Sequence, residues 1–218
     1  MYQNKYMSSY INQPKLSTVT SALPNIESLK GELVRKFLHI SIAFTPLLAE
    51  LSFTFTVILL STGVLVYSVF EYLRCIGIKI FLISDITEVA SRSRDAGKFV
   101  LGPVTLGTGT LLALLLYPSP ASYLAIYALA FGDGLASLAG KAFGRTKIPH
   151  FHNKTYAGTI ACFVAVFVSC FTFSNHVGFN LIIALTATIL EILPVRDIDN
   201  IVIPIGTGLV ATVLYSFL

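Results

Sequence analysis

Seven apolar blocks, each closed by proline, glycine or charge, constrain this chain more than any other feature: Phe37–Ala49, Phe53–Leu73, Phe99–Tyr117, Ser122–Ala139, Thr159–Phe173, Gly178–Leu193 and Ile201–Leu218. A membrane-spanning helix needs about 20 mostly apolar residues, so the pattern predicts an all-α, polytopic integral membrane bundle of about seven transmembrane helices. Composition points the same way. Only 12% of the 218 residues are charged and 55% are hydrophobic, with a mean hydropathy of +0.77, against about 25% charged in a soluble domain. Disorder, a disulfide framework and nucleic-acid binding are excluded on apolar content, three cysteines and few basic residues. The first and fifth blocks are short, which calls for tilt, bilayer thinning or a partly re-entrant path. Residues 1–30 are polar, lack the features of a secretory signal and read as a leader, leaving 31–218 as one transmembrane domain.

Charge placement tests this count independently, because Lys and Arg stay on the cytoplasmic side of short loops. With a cytoplasmic N-terminus, all 15 Lys and Arg residues fall inside, and the connectors around Glu50–Ser52, Pro118–Ala121 and Ser174–Val177 carry none. An odd number of spans then puts the C-terminus outside. The segment from Arg74 to Lys98 mixes apolar residues with Lys79, Asp85, Glu88, Arg92 and Arg94. It reads either as an amphipathic helix in the headgroup layer or as a solvated connector.

An ionisable residue inside a membrane is costly enough to be a functional candidate. Four stand out: His39 in the first block, Asp133 in the fourth, Glu191 near the end of the sixth and Asp199 at the start of the seventh. All lie toward the cytoplasmic half, so one inward-facing cavity can collect them. In the fourth block Gly132, Ala136 and Gly140 repeat every four residues, a small-residue stripe for close helix packing, with Asp133 and Ser137 beside it. Packing does not account for Asp133, whose carboxylate needs a cation, a basic partner or water.

The loop that follows carries Gly140, Lys141, Gly144, Arg145, Lys147, Lys154 and Thr155. Cations, glycines and hydroxyls so close together suit a polyphosphate, although enforcing topology alone would also explain the cations. It is not a P-loop, since Leu135 stands where the first glycine is needed and Ala142 where Ser or Thr is needed. His150 and His152 lack a zinc framework and read as solvated, and Cys75, Cys162 and Cys170 read as packing residues. Oxygen donors near the last helix, Glu191, Asp199 and Asn200, fit Mg²⁺, which takes one or two carboxylates together with substrate phosphates. Asp199 also suits a helix N-cap.

These three elements together resemble the CTP-dependent lipid-alcohol kinases, namely dolichol kinase, phytol kinase and the yeast-type CTP-dependent diacylglycerol kinase. The resemblance rests on Glu32-Leu-Val-Arg35-Lys36-Phe-Leu-His39, on Phe131-Gly132-Asp133 with Ala136, Gly140, Gly144, Lys147, Lys154, Thr155 and Gly158, and on Glu191-Ile-Leu-Pro194 with Asp199-Asn200 and Pro204. It implies transfer of the γ-phosphoryl group of CTP, with Mg²⁺, to the hydroxyl of a membrane lipid: a polyprenol, a phytol-like isoprenoid or diacylglycerol. Asp133, Asp199, Asn200 and Glu191 would then hold Mg²⁺, the loop residues would grip the triphosphate, and Arg35 and Lys36 would add positive charge. Asp133 and His39 both qualify as the base. A cytidylyltransferase making a CDP-lipid and a small ion-coupled transporter are the alternatives; the acidic-and-basic signature of the former and the internal repeat of the latter are missing. The expected partners are CTP, a lipid alcohol and the bilayer, with no nucleic acid and with homo-oligomerisation left open. The site is expected on the cytoplasmic side.

Overall fold

The computed structural model describes residues 26–78, 98–149, 151, 154–195 and 198–217. Among these residues every element is helical apart from one isolated bridge, Lys147 to Thr155. The helices are α1 (Ile26–Ser41), α2 (Thr45–Leu51), α3 (Phe53–Cys75), α4 (Gly102–Leu116), α5 (Ala121–Phe143), α6 (Tyr156–Cys170), α7 (Val177–Ile192) and α8 (Asp199–Tyr215). The last six coincide with the last six apolar blocks to within a few residues. By length and composition α3 and α5 are able to cross a membrane, while α4, α6, α7 and α8 are shorter apolar helices. The amphipathic helix expected between Arg74 and Lys98 falls largely outside the described residues, as do His150, His152, Arg196 and Asp197.

The first block departs from expectation. Instead of one span over Phe37–Ala49, α1 begins at Ile26, gives way to a 3₁₀ turn at Ile42–Phe44, and the chain restarts as α2 with Pro46 in its first turn. Proline has no N–H to continue the upstream helix and suits the first turn of a new one. The inward face of α1 is polar: Lys36 and His39, three residues apart, are buried, while Leu33 and Phe37 are exposed. Apolar periodicity therefore misses the start of this helix.

Helix α5 is the hub. It packs against α4, α6, α7 and α8, and its second half also meets α1. Leu124, Ile126 and Leu129 are completely buried in it. Helix α3 lies at the edge against α4, with large apolar side chains such as Ile58, Leu65 and Val69 facing outward.

One charge in α3 was not singled out by the sequence reading. Glu71 is fully buried, receives two hydrogen bonds from Arg74 (2.8 and 2.7 Å) and one from the Val100 N–H (2.7 Å), while Arg74 also donates to the Lys98 carbonyl (2.8 Å). The pair ties the end of α3 to the approach of α4. An acid three residues before an arginine was the available signal.

Helix α8 is seated closely on α4. Pro204 leaves the Asn200 carbonyl without its intrahelical donor, and that carbonyl lies so close to Gly109 that a Cβ there would collide with it. Farther along, the Tyr117 hydroxyl donates to the Ile205 carbonyl at 2.6 Å. We predict that Gly109→Ala forces the two helices apart, costing about 1–3 kcal/mol; thermal unfolding in detergent micelles should show a lowered midpoint, and an unchanged midpoint would contradict the contact.

Candidate active site

The site starts from an irregularity in α5. Residues Ala128–Asp133 form a π-helical segment, which carries an extra residue in its turn, and regular α-helix resumes at Gly134. Such wide turns are rare and frequently occur at functional positions. Here the wide turn ends on Asp133. The small-residue stripe packs on α6: Gly132 lies against Cys162 and Val166, and Gly140 lies against Thr155 and Gly158, all from α6 and its cap.

Asp133 faces α1. Lys36 donates from Nζ to Asp133 Oδ2 at 3.1 Å and to the Asp133 main-chain carbonyl at 3.2 Å, so one ammonium serves both the carboxylate and the wide turn. His39 Nδ1 stands 3.3 Å from the same Oδ2. The Asp133 side chain is only 13% exposed and that of Lys36 7%. At this depth an unpaired charge would be costly, whereas a hydrogen-bonded pair is tolerated.

A second pair lies alongside. Lys154 makes an ion pair with Glu191, whose side chain is buried near the end of α7. Lys154 also acts electrostatically on Asp133, and both Asp133 and Asp199 act on Glu191. The structure thus gathers Lys36 and His39 from α1 on Asp133 of α5, and Lys154 of the loop on Glu191 of α7; Asp199 opens α8, and its charge reaches Glu191. Arg35 is half-buried one position ahead of Lys36.

The loop between α5 and α6 explains why Lys154 alone of its cations enters this group. The Ile148 N–H donates to the Lys154 carbonyl (2.9 Å) and the Tyr156 N–H to the Thr146 carbonyl (3.3 Å), folding the loop back on itself. Thr155 then caps α6 by accepting from the Gly158 N–H at 3.2 Å. The side chains of Lys141, Arg145 and Lys147 are exposed on the outside of this fold. The glycines have a local reason of their own: a Cβ on Gly144 would meet the Gly140 carbonyl and Thr155, and one on Gly158 would meet the Ala136 carbonyl. Close approach of α5 and α6 therefore accounts for Gly140, Gly144 and Thr155 as packing and capping residues.

Asn200 turns its amide nitrogen to α4. Its amide donates to Thr105 Oγ1 (3.0 Å) and to the Gly102 carbonyl (3.3 Å), fastening α8 to α4, and its own N–H is accepted by Asp199 Oδ1 (3.0 Å). Among the described residues no group of three or more His, Cys, Asp or Glu side chains is placed to cage a metal. Carboxylate oxygens are nonetheless the right donors for Mg²⁺, which keeps several waters and completes its shell with phosphate oxygens. The donor set suits a cation that arrives with phosphates.

Several plant proteins are similar to this chain. A probable chloroplastic phytol kinase of Triticum aestivum is 29% identical over 172 residues, covering 68% of this chain and 57% of its own length. Probable phytol kinase 3 of Glycine max is 30% identical over 208 residues, covering 84% of this chain and 63% of its own. The farnesol kinase of Arabidopsis thaliana is 26% identical over 206 residues, covering 84% and 66% respectively. The chain is similar to these phytol and farnesol kinases. This agrees with the lipid-alcohol kinase resemblance of its motifs. It spans about half the length of the phytol kinases of Triticum aestivum, Oryza sativa and Zea mays that it matches. Neither a family model nor a solved structure matches it.

The Lys36–Asp133 contact makes a measurable contribution to stability. Lys36→Met removes the ammonium bound to the carboxylate and should cost about 3 kcal/mol, the lower end for breaking a buried pair. In the double variant Lys36→Met/Asp133→Asn the cost should fall short of the sum of the single changes by about 1 kcal/mol or more. Denaturant unfolding of the four proteins measures this, and strict additivity would refute a direct contact.

Proposed function

We propose that this protein is a lipid-alcohol kinase that transfers the γ-phosphoryl group of CTP to the hydroxyl of an isoprenoid alcohol of the phytol or farnesol type. The observation that carries the reading is the meeting of Asp133, Lys36, His39, Lys154 and Glu191 inside a largely apolar helical bundle. Similarity to phytol and farnesol kinases over most of the chain supports the same substrate class.

Phosphoryl transfer asks a protein mainly to position the reactants and neutralise charge. When bound, Mg²⁺ would neutralise phosphate charge; Asp133, with Glu191 or Asp199, would supply the carboxylate oxygens that hold it. Lys36 and Lys154 lie beside those carboxylates and supply the cations for the triphosphate, with Arg35 next to them. On the exposed side of the loop, Lys141, Arg145 and Lys147 add a positive field that draws the nucleotide in. The alcohol oxygen forms a bond to the γ-phosphorus, the bond from that phosphorus to the β,γ-bridging oxygen breaks, and CDP departs. The hydroxyl proton passes to Asp133 and His39, which stand close enough to share it. The apolar tail stays in the bilayer.

The same reading makes the chain a multi-pass membrane protein. Its N-terminus and the site would face the cytoplasm, the side that the bias of Lys and Arg favours, and seven crossings would put the C-terminus on the other side.

The test is purified protein with γ-labelled CTP, Mg²⁺ and a panel of phytol, farnesol, a polyprenol and diacylglycerol. Label is expected on phytol or farnesol, with release of CDP; release of pyrophosphate would instead mark a cytidylyltransferase. Asp133→Asn should lower turnover at least about a hundredfold while the protein still accumulates in membranes. Near-normal turnover in that variant would reject the assigned role.

A further inference from the structure

The two lysines of the site do not wait with unpaired charges for a substrate. Each is already bound to a carboxylate: Lys36 to Asp133 at 3.1 Å, and Lys154 to Glu191. The pairs are not independent, because Lys154 also acts on Asp133, and Asp133 on Glu191. Lys36 is 5% exposed and Glu191 4%. With so little water to compensate, removing one member of either pair leaves a charge that the bundle tolerates poorly.

Resting on the kinase reading above, we propose that Lys36 and Lys154 are internal counter-ions that exchange partners when a magnesium–nucleotide complex binds. In the free protein they neutralise Asp133 and Glu191. In the loaded protein the ammonium groups pass to phosphate oxygens, and the carboxylates turn to the cation. Charge balance makes the exchange all or nothing. A divalent cation alone would have to displace two lysines that then have no anion. A metal-free triphosphate would pull the lysines away and leave bare carboxylates beside its own negative oxygens. Only the complex replaces both partners together.

This has a consequence opposite to that of a simple binding residue. Neutralising a carboxylate frees its lysine, so Glu191→Gln or Asp133→Asn should bind metal-free CTP, measured in the presence of a chelator, about tenfold more tightly than the wild type, a gain of about 1.4 kcal/mol. The same variants should bind Mg²⁺–CTP more weakly. Conversely, Lys154→Met should bind Mn²⁺ without nucleotide about tenfold more tightly, read by the loss of the free Mn²⁺ resonance. If the wild type binds Mg²⁺–CTP but neither carboxamide variant gains affinity for metal-free CTP, the exchange is wrong while the kinase reading stands. If the wild type binds no Mg²⁺–nucleotide at all, the kinase reading itself falls. The wild type alone also decides the point should the variants fail to fold: metal-free CTP binding as tightly as Mg²⁺–CTP overturns the exchange.

Discussion

A carboxylate within an otherwise apolar helix must be neutralised where it stands, and the Lys36–Asp133 contact does this. Much of the architecture follows from that requirement. It fixes the angular setting of α1, whose buried face is Lys36 and His39 rather than leucine or valine. It also engages the wide turn of α5, since the same ammonium donates to the main-chain carbonyl of Asp133. From that point the chain can place α6 close against the glycine stripe, and the loop between them delivers Lys154 to Glu191.

The helices were legible because proline, glycine and charge end each apolar run, and this holds for the last six blocks. The first block was not, for a physical reason: an apolar count starts at Phe37, whereas the helix starts at Ile26 and turns polar residues inward. Their partner is about a hundred residues away in sequence, and no local pattern announces it. The wide turn was equally invisible, because Gly132-Asp133-Gly134 permits it while the neighbouring helices decide it.

The site was legible as a set of residue types and only partly as a set of roles. Lys36 and His39 meet Asp133, and Lys154 meets Glu191, as expensive charges in apolar surroundings should. The glycines and Thr155 read equally well as a phosphate cradle, yet local sterics and the cap of α6 account for them. Asn200 reads as a metal ligand by type, and its amide nitrogen also fastens α8 to α4. Sequence spacing gives the inventory of a loop; the fold of that loop decides which cations point inward. Fold and chemistry then connect through one economy of charge: the groups that make the interior tolerable without ligand are those suited to receive a charged one.

An experimental structure with Mg²⁺ and a non-hydrolysable CTP analogue tests the central claim most directly. The account predicts phosphate density between Lys36 and Lys154, a metal peak beside Asp133, and both lysine–carboxylate pairs opened. Triphosphate density confined to the outer face of Lys141, Arg145 and Lys147, with both pairs still closed, would contradict it.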